Sequence, residues 1–260
     1  MAGDPHRRLG RARTRVPATA PVPPRSGPSA LVPRSRMTSA GGMTGIDVRR
    51  TGRWAGLVTG AVLGLAAAYP LLLRRWCLTW GAGPEEAARP LPGDELLVAP
   101  DVVATRAVTV QAPPGAIWPW LVQMGSGRGG AYTYDWIENL LGLRMHSADR
   151  VLPEFQDLAV GDVLPLPNGP ALRVERLDRE QAMVLRSQDG TWVWSFVLVP
   201  AKSGTRLISR NRIATPGASP LARLAYLLLM EPGSLVMERK MLHGIKERAE
   251  RLAREGAGST

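Results

Sequence analysis

The side chains best suited to acid–base or binding chemistry are concentrated in one short tract, residues 128–149. A histidine beside a carboxylate titrates near neutral pH, so His146 and Asp149 are candidates for a catalytic pair, with Tyr132 as proton donor. Two other interpretations stay open at this point. The same side chains would line a pocket without catalysing a reaction, or Asp149 would cap a turn or pair with Arg150.

Aromatic side chains, several with a polar tip, form the second group of candidates. Trp192 and Trp194 stand two apart in a predicted strand, which places them with Phe196 on one face, either a cavity wall or ordinary core. Arg128 lies in a glycine-rich loop whose spacing fits no phosphate-binding pattern, and it would either meet an anionic group or lie in solvent. The predicted ligand-binding set is Trp118, Arg128, Tyr132, Tyr134, Trp136, His146, Trp192 and Trp194.

Metal and cofactor chemistry is not expected from this composition. Cys77 is the only cysteine and the chain has three histidines, which argues against both a cysteine-based zinc site and a histidine-rich centre. The other polar candidates have simpler interpretations. Arg206, Arg210 and Arg212 alternate along a strand and are predicted to lie on a solvated face. Glu238 is predicted to pair at a helix surface rather than to point into a cavity.

The net charge of +11 arises mostly outside the predicted folded part. Residues 1–53 contain eleven arginines and two acids, which leaves 22 basic and 20 acidic residues in the rest of the chain. A nucleic-acid-binding domain clusters its basic residues on a folded face, so no nucleic-acid partner is expected. Residues 1–53 have few large apolar side chains and are predicted to be disordered. Translation from Met37 or Met43 would leave most of them out.

Residues 54–73 contain no charged side chain and are flanked by arginines at both ends. Twenty such residues span about 30 Å as a helix, the hydrocarbon thickness of a bilayer, so we expect a single-pass membrane anchor. A secretory signal cleaved near residues 66–68 is the alternative, although the apolar run continues past that point. A slight excess of arginine on the N-terminal side favours a cytoplasmic N-terminus, and the side that holds the folded domain stays open.

Hydrophobic periodicity predicts an α+β domain over residues 104–254, joined to the membrane segment by a Pro/Gly/Glu-rich linker at 74–103. Glycines at 190 and 204 mark hairpin turns between the last strands. The predicted elements are a strand at 105–111, helices at 115–124 and 134–141, strands near 162–166, 171–177, 182–187, 191–200 and 204–213, and a long helix at 220–254 that Pro232 can interrupt.

Three tracts carry a likeness to a known superfamily: TRAVTVQAPPGAIWPWLVQMG, GRGGAYTYDWIENLLGLRMHSADRVLPEFQDLAVGD and MERKMLHGIKERAE. With the order of elements, they resemble the helix-grip fold of the START-like (SRPBCC) superfamily, which includes polyketide cyclase/dehydrase and lipid-transport proteins. The likeness covers about residues 76–254. Within the superfamily, the three tracts resemble a membrane-anchored, actinobacterial-type branch. It implies a curved antiparallel sheet wrapped around the C-terminal helix, with a mostly apolar cavity between them. It implies no single activity, because binders and enzymes share this scaffold.

Three functions are compatible with these observations. The first is membrane-anchored binding of a hydrophobic small molecule or lipid in the cavity, with no cofactor. The second is a cyclase/dehydratase-like enzyme that uses His146 or Asp149 as a base and Tyr132 or Tyr134 as a proton donor. The third is a membrane-tethered protein-interaction module that docks through residues 224–229, a run that would also suit an interfacial helix lying against the bilayer.

Overall fold

The computed structural model describes residues 59, 60, 64, 68–167 and 169–258. The predicted tail, residues 1–53, lies outside the described residues, and so does most of the predicted membrane segment, 54–73. In the part of the chain that is described, no helix is long and apolar enough to cross a membrane.

Alternating apolar residues build six strands, and every strand predicted from the sequence is present. The strands are β1 (Val102–Val110), β2 (Val163–Leu164), β3 (Leu172–Asp178), β4 (Ala182–Ser187), β5 (Trp192–Ala201) and β6 (Gly204–Ile213). They form one antiparallel sheet in the order β1-β6-β5-β4-β3-β2. The sheet is curved, and with a long C-terminal helix it confirms the predicted α+β class.

Six α-helices accompany the sheet in the described residues. They are α1 (Arg74–Leu78), α2 (Pro84–Ala88), α3 (Pro114–Val122), α4 (Asp135–Leu140), α5 (Pro220–Ala225) and α6 (Glu231–Ala257). Two π-helical turns, Tyr69–Leu73 and Tyr226–Met230, lead directly into α1 and α6. Pro232 lies in the first turn of α6, directly after the π-helical turn Tyr226–Met230, and its missing N–H leaves one backbone carbonyl of that turn without its usual helical donor. The backbone nevertheless stays helical through residues 220–257, so the sequence around Pro232 is marked by a π-helical turn and not by a break.

The main hydrophobic core lies between the inner face of the sheet and helices α3 and α6. It joins inward-facing residues such as Phe196 and Leu207 to Leu242 and Ile245 of α6. A glycine permits the close approach of one loop to α6. A Cβ at Gly244 would lie only 2.6 Å from the carbonyl oxygen of Tyr132, closer than such atoms can approach.

The outer face of the sheet is covered by the segment that precedes β1. Arg206 donates to both carboxylate oxygens of Glu86 at 2.7 and 2.8 Å. Arg210 donates to Asp94 at 2.7 Å and to the carbonyl oxygens of residues 86, 87 and 89 at 2.8 to 3.0 Å. Arg212 donates to the carbonyl of Leu97 at 2.9 Å.

The prediction that these three arginines lie on a solvated face is therefore wrong. Alternation along a strand correctly places them on one side of the sheet, but it carries no information about what covers that side. The segment expected to be a linker lies over them, and its backbone carbonyls accept their hydrogen bonds. Arg210 is only 3% exposed as a result.

Candidate functional site

A cluster of polar side chains is buried on the inner face of the sheet, next to the first turns of α6. Arg106 of β1 is paired in register with Ser209 of β6, and Asn211 follows two residues later on the same face. Glu238 of α6 completes the cluster. Arg106 and Ser209 are fully buried, while Asn211 and Glu238 are 8% and 6% exposed.

The other three members of this cluster all bond to the Glu238 carboxylate. The Nη1 atom of Arg106 donates to Oε2 of Glu238. The hydroxyl of Ser209 donates to Oε1 at 2.5 Å, and the amide of Asn211 donates to both oxygens at 3.2 Å. The carboxylate is thus held by one cation and two neutral donors, which compensates it for the loss of water.

The remaining donors of Arg106 also find partners. Its Nε atom donates to the carbonyl of Cys77 in α1 at 3.1 Å, and its Nη2 atom donates to Ser234 of α6 at 3.0 Å. Burial raises the pKa of Glu238, while the charge of Arg106 and the hydrogen bond from Ser209 act in the opposite direction. A buried ion pair contributes little net stability compared with apolar residues of the same size. The pair is therefore better explained by the side chains that it positions than by added stability.

Two stacked tryptophans lie beside the cluster. The indole N–H of Trp192 donates to the Asn211 side-chain oxygen at 2.7 Å, and that of Trp194 donates to the Ser209 hydroxyl at 2.9 Å. Their ring centroids are 5.4 Å apart with planes 22° from parallel. Phe196 continues the row, 4.8 Å from Trp194. We call Trp192 and Trp194 the tryptophan platform.

The platform confirms that Trp192, Trp194 and Phe196 share one face of the sheet. Phe196 is completely buried in the core, whereas both tryptophans are only partly buried. Because each indole N–H already has a partner, only the part of each apolar ring that is not packed against the core or the neighbouring ring is left for further contact. Such a surface suits a hydrophobic molecule, and stacking favours one that contains a ring.

A second ion pair closes the cluster on the side of α1. The guanidinium of Arg74 donates to both oxygens of Glu231 at 2.9 to 3.2 Å, and the Tyr69 hydroxyl donates to the same carboxylate at 3.0 Å. Burial and the nearby charge of Glu231 raise the pKa of Tyr226, and the charge of Arg106 opposes them. Helix α1 therefore docks on α6 through charged contacts that adjoin the buried cluster.

The predicted acid–base residues make no direct contact with one another, although Arg248 bonds to Asp149 and lies over the Tyr132 ring at 5.0 Å. The side chain of His146 is 95% exposed, and its nearest carboxylate is that of Asp135 at 3.9 Å. Asp149 is 84% exposed and pairs with Arg248 at 2.7 Å. Tyr132 is buried, its hydroxyl donates to the carbonyl of Trp120 at 3.0 Å, and burial raises its pKa. The catalytic roles assigned to these residues stay predictions without a shared site.

The other predicted ligand-binding residues are scattered. Trp118 is buried in the core. Arg128 donates to the carbonyls of residues 122 and 155, and its guanidinium stacks on the Phe155 ring at 4.5 Å. Tyr134 lines a surface groove, and Trp136 is 69% exposed. Of the predicted set, only Trp192 and Trp194 adjoin the buried cluster.

Arg106, Ser209, Asn211 and Glu238 are absent from the predicted site, yet two of them carry a sequence signal. Arg106 has the same parity as Val108 and Val110, which places it on the apolar face of its strand. Glu238 lies three and four residues before Met241 and Leu242, within the apolar stripe of the helix. The prediction that it pairs at the surface is wrong, because the stripe turns it into the core. A charged residue whose position falls on the apolar face of its strand or helix was thus the sequence signal for a buried polar cluster.

No cluster of three or more side chains in the described residues could hold a metal ion. The core and the polar cluster lie between the inner face of the sheet and α6. The tryptophan platform offers hydrophobic contact beside fixed hydrogen-bonding groups.

No protein-family model and no curated protein sequence matches the chain. Solved structures do match. The KanY protein is 16% identical, with 57% of this chain and 97% of that chain covered and a TM-score of 0.40. A Mesorhizobium loti protein, MLL2253, is 17% identical over 59% and 98% of the two chains at a TM-score of 0.34. The Polyketide_cyc-like protein Cgl2372 of Corynebacterium glutamicum is 15% identical over 60% and 91% at 0.29. At these identities and TM-scores the likeness identifies no family, ligand or reaction.

Proposed function

We propose that this chain binds a hydrophobic small molecule or lipid against the tryptophan platform, in a helix-grip domain that its N-terminal segment anchors to a membrane. The observation that carries the proposal is the fixing of two partly exposed, stacked indoles by a buried ion-pair network. The uncharged segment 54–73 supports the anchor.

The physical argument concerns preorganisation. A free tryptophan side chain must lose rotamer freedom when a ligand stacks on it, which weakens binding. Here the N–H groups of Trp192 and Trp194 are held by Asn211 and Ser209, and these residues are held by Glu238. The ring faces are thus oriented before a ligand arrives, and supporting contacts of this kind are what a precise binding site requires.

The ligand class follows from the same contacts. The platform offers two indole faces, and the indole donors are already used within the protein. Affinity would therefore come from apolar area and ring stacking, at about 25 cal/mol for each Å² buried. A largely apolar molecule, with a ring system or a hydrocarbon chain that lies along the platform, fits this surface best.

The test is to purify the full chain in detergent, denature it, extract it into organic solvent and identify bound molecules by mass spectrometry. We expect a hydrophobic compound at a substantial fraction of one molecule per chain. The double variant Trp192→Ala/Trp194→Ala should lose most of it, since it removes both ring faces. Circular dichroism of the variant would establish that the fold is retained.

The matched control is Trp136→Ala, which removes the same side chain from a position that is 69% exposed and takes no part in the platform contacts. This variant should carry as much ligand as the parent chain. A parent chain that carries only detergent would contradict the proposal. So would a double variant that keeps the full load of compound.

A further inference from the structure

A surface groove of about 350 Å³ runs along a different face of α6 from the one that carries Glu238. Its apolar walls are Trp76 of α1 together with Pro232 and Val236 of α6. Arg239 and Lys240 lie one turn further along the helix and also line it. The groove therefore has an apolar end and a cationic end.

The cationic end has no acidic side chain to neutralise it. None of the residues that line the groove is an aspartate or glutamate. Within the described ranges, neither Arg239 nor Lys240 forms an ion pair. Arg239 is instead held over the Trp80 ring, with 5.2 Å between its Cζ atom and the ring centroid. Two adjacent cations without a counter-charge favour an anionic group.

Exposed apolar side chains precede the apolar end of the groove on both helices. Leu71 and Leu72 precede Trp76 on one helix and are 83% and 75% exposed. Leu229 and Met230 precede Pro232 on the other and are 70% and 58% exposed. Large exposed apolar side chains in runs of this kind favour contact with a membrane.

The Arg74–Glu231 ion pair brings these two apolar runs together. Arg74 follows the first run directly and Glu231 follows the second, and their side chains bond at 2.9 to 3.2 Å. The first run is also the end of the uncharged segment 54–73. The apolar surface is thus continuous in sequence with the stretch of bilayer length.

We propose that this groove binds one anionic phospholipid of the bilayer surface, with its phosphate at Arg239 and Lys240 and its acyl chains along the exposed leucines. Charge complementarity and continuity with segment 54–73 favour a lipid over a soluble anion. The groove uses other residues than the tryptophan platform. The two sites can therefore be tested and can fail separately.

The test is native mass spectrometry of the full chain, titrated with three probes at equal concentration. The probes are dihexanoylphosphatidylglycerol, dihexanoylphosphatidylcholine and inorganic phosphate. We expect the anionic lipid to bind about tenfold more tightly than the zwitterionic lipid, the effect of about one charge-assisted hydrogen bond. Inorganic phosphate should neither bind stably nor displace the lipid, because it lacks the chains.

Two variants locate the site. Arg239→Gln/Lys240→Gln removes both cations from exposed or half-exposed positions and should abolish the preference for the anionic lipid. Val236→Asn, at a position 52% exposed, should weaken both lipids about equally by disturbing the apolar wall. The matched control is Lys202→Gln/Arg254→Gln, which removes two exposed cations outside the groove and should keep the full preference.

The proposal is overturned if the Arg239→Gln/Lys240→Gln chain still prefers the anionic lipid. Equal binding of the two lipids by the parent chain would overturn it as well. Displacement of the lipid by inorganic phosphate at equal concentration would show a simple phosphate site and would also reject the phospholipid. None of these three results would bear on the compound that the Trp192→Ala/Trp194→Ala chain is expected to lose.

Discussion

The two faces of the central sheet both bury arginines, and they do so against different partners. On the outer face, Arg210 bonds mainly to backbone carbonyls and to Asp94 of the segment that covers the sheet. On the inner face, Arg106 bonds to the carboxylate of Glu238, which in turn fixes Ser209 and the tryptophans. The outer arginines attach a segment to the sheet, whereas the inner pair orients the two partly buried tryptophans.

The two faces differ in whether water can replace a lost hydrogen-bond partner of a buried charge. Water can reach the outer contacts if the covering segment lifts, so a lost partner there is partly replaced by solvent. The carboxylate of Glu238 lies between α6 and the inner face of the sheet. Water cannot replace its partners there unless the core opens. Loss of a charged partner should therefore cost more of the free energy of unfolding on the inner face than on the outer face.

The largest effect is expected from Glu238→Leu, which leaves Arg106 buried without its counter-charge. Breaking a buried pair in this way costs about 3–5 kcal/mol of the free energy of unfolding. The double variant Arg106→Met/Glu238→Leu removes both charges and should recover at least half of that loss. Urea denaturation of the three proteins measures the difference.

An equal loss in the single and double variants would show that packing around Glu238 matters, and that the ion pair does not. A loss below about 1 kcal/mol for Glu238→Leu would show that Arg106 is not confined as described. Either result would remove the distinction between the inner and outer faces.

A smaller effect is expected from Arg210→Gln on the outer face. This change removes the hydrogen bonds to residues 86, 87 and 89 and to Asp94, and we expect a loss of about 2–3 kcal/mol. The freed carbonyls can be hydrated, so the covering segment should detach while the sheet persists. Hydrogen exchange should rise over residues 86–97 and stay unchanged in β5. Faster exchange throughout the sheet would contradict this localisation.

The smallest expected effect is a pH dependence of the stability that the outer-face pair of Glu86 and Arg206 contributes. Hydrogen bonds from Arg206 lower the pKa of Glu86 below its ordinary value of 4.5. A carboxylate with a lowered pKa in the folded state contributes stability above its unfolded pKa, and this contribution is lost as the pH falls through the lowered value. We expect about 1 kcal/mol or less, because the pair is partly exposed.

Glu86→Gln isolates this contribution from those of other acids. Unfolding free energies of the parent and variant should differ at pH 7 and converge as the pH falls below about 4. Parallel curves across the acid range would show that the Glu86 charge does not strengthen the outer face.

Local patterns were sufficient to predict most of the fold. Period-two alternation located the strands and correctly placed Trp192, Trp194 and Phe196 on one face, because side-chain direction along a strand depends only on parity. The amphipathic stripe located the long helix. The sequence left open whether Pro232 interrupts the long helix, and the structure has a π-helical turn directly before it.

The site was harder to predict because it depends on contacts between distant parts of the chain. His146 and Asp149 stand close in sequence, but they lie in an irregular loop where spacing does not fix direction. Arg106 and Glu238 are separated by more than one hundred residues and meet only when β1 packs near α6. Polar residues in phase with an apolar face were visible in the sequence, but their partners were not.

The most direct test of the tryptophan platform is the NMR spectrum of the full chain labelled with ¹⁵N at its eight tryptophans. The indole N–H signals, assigned by single Trp→Phe variants, would be compared before and after removal of bound molecules, and again after the organic extract is returned. We predict that the signals of Trp192 and Trp194 shift on removal and are restored by the extract, while that of Trp136 stays fixed. Unchanged Trp192 and Trp194 signals, with shifts at other tryptophans, would contradict binding at the platform.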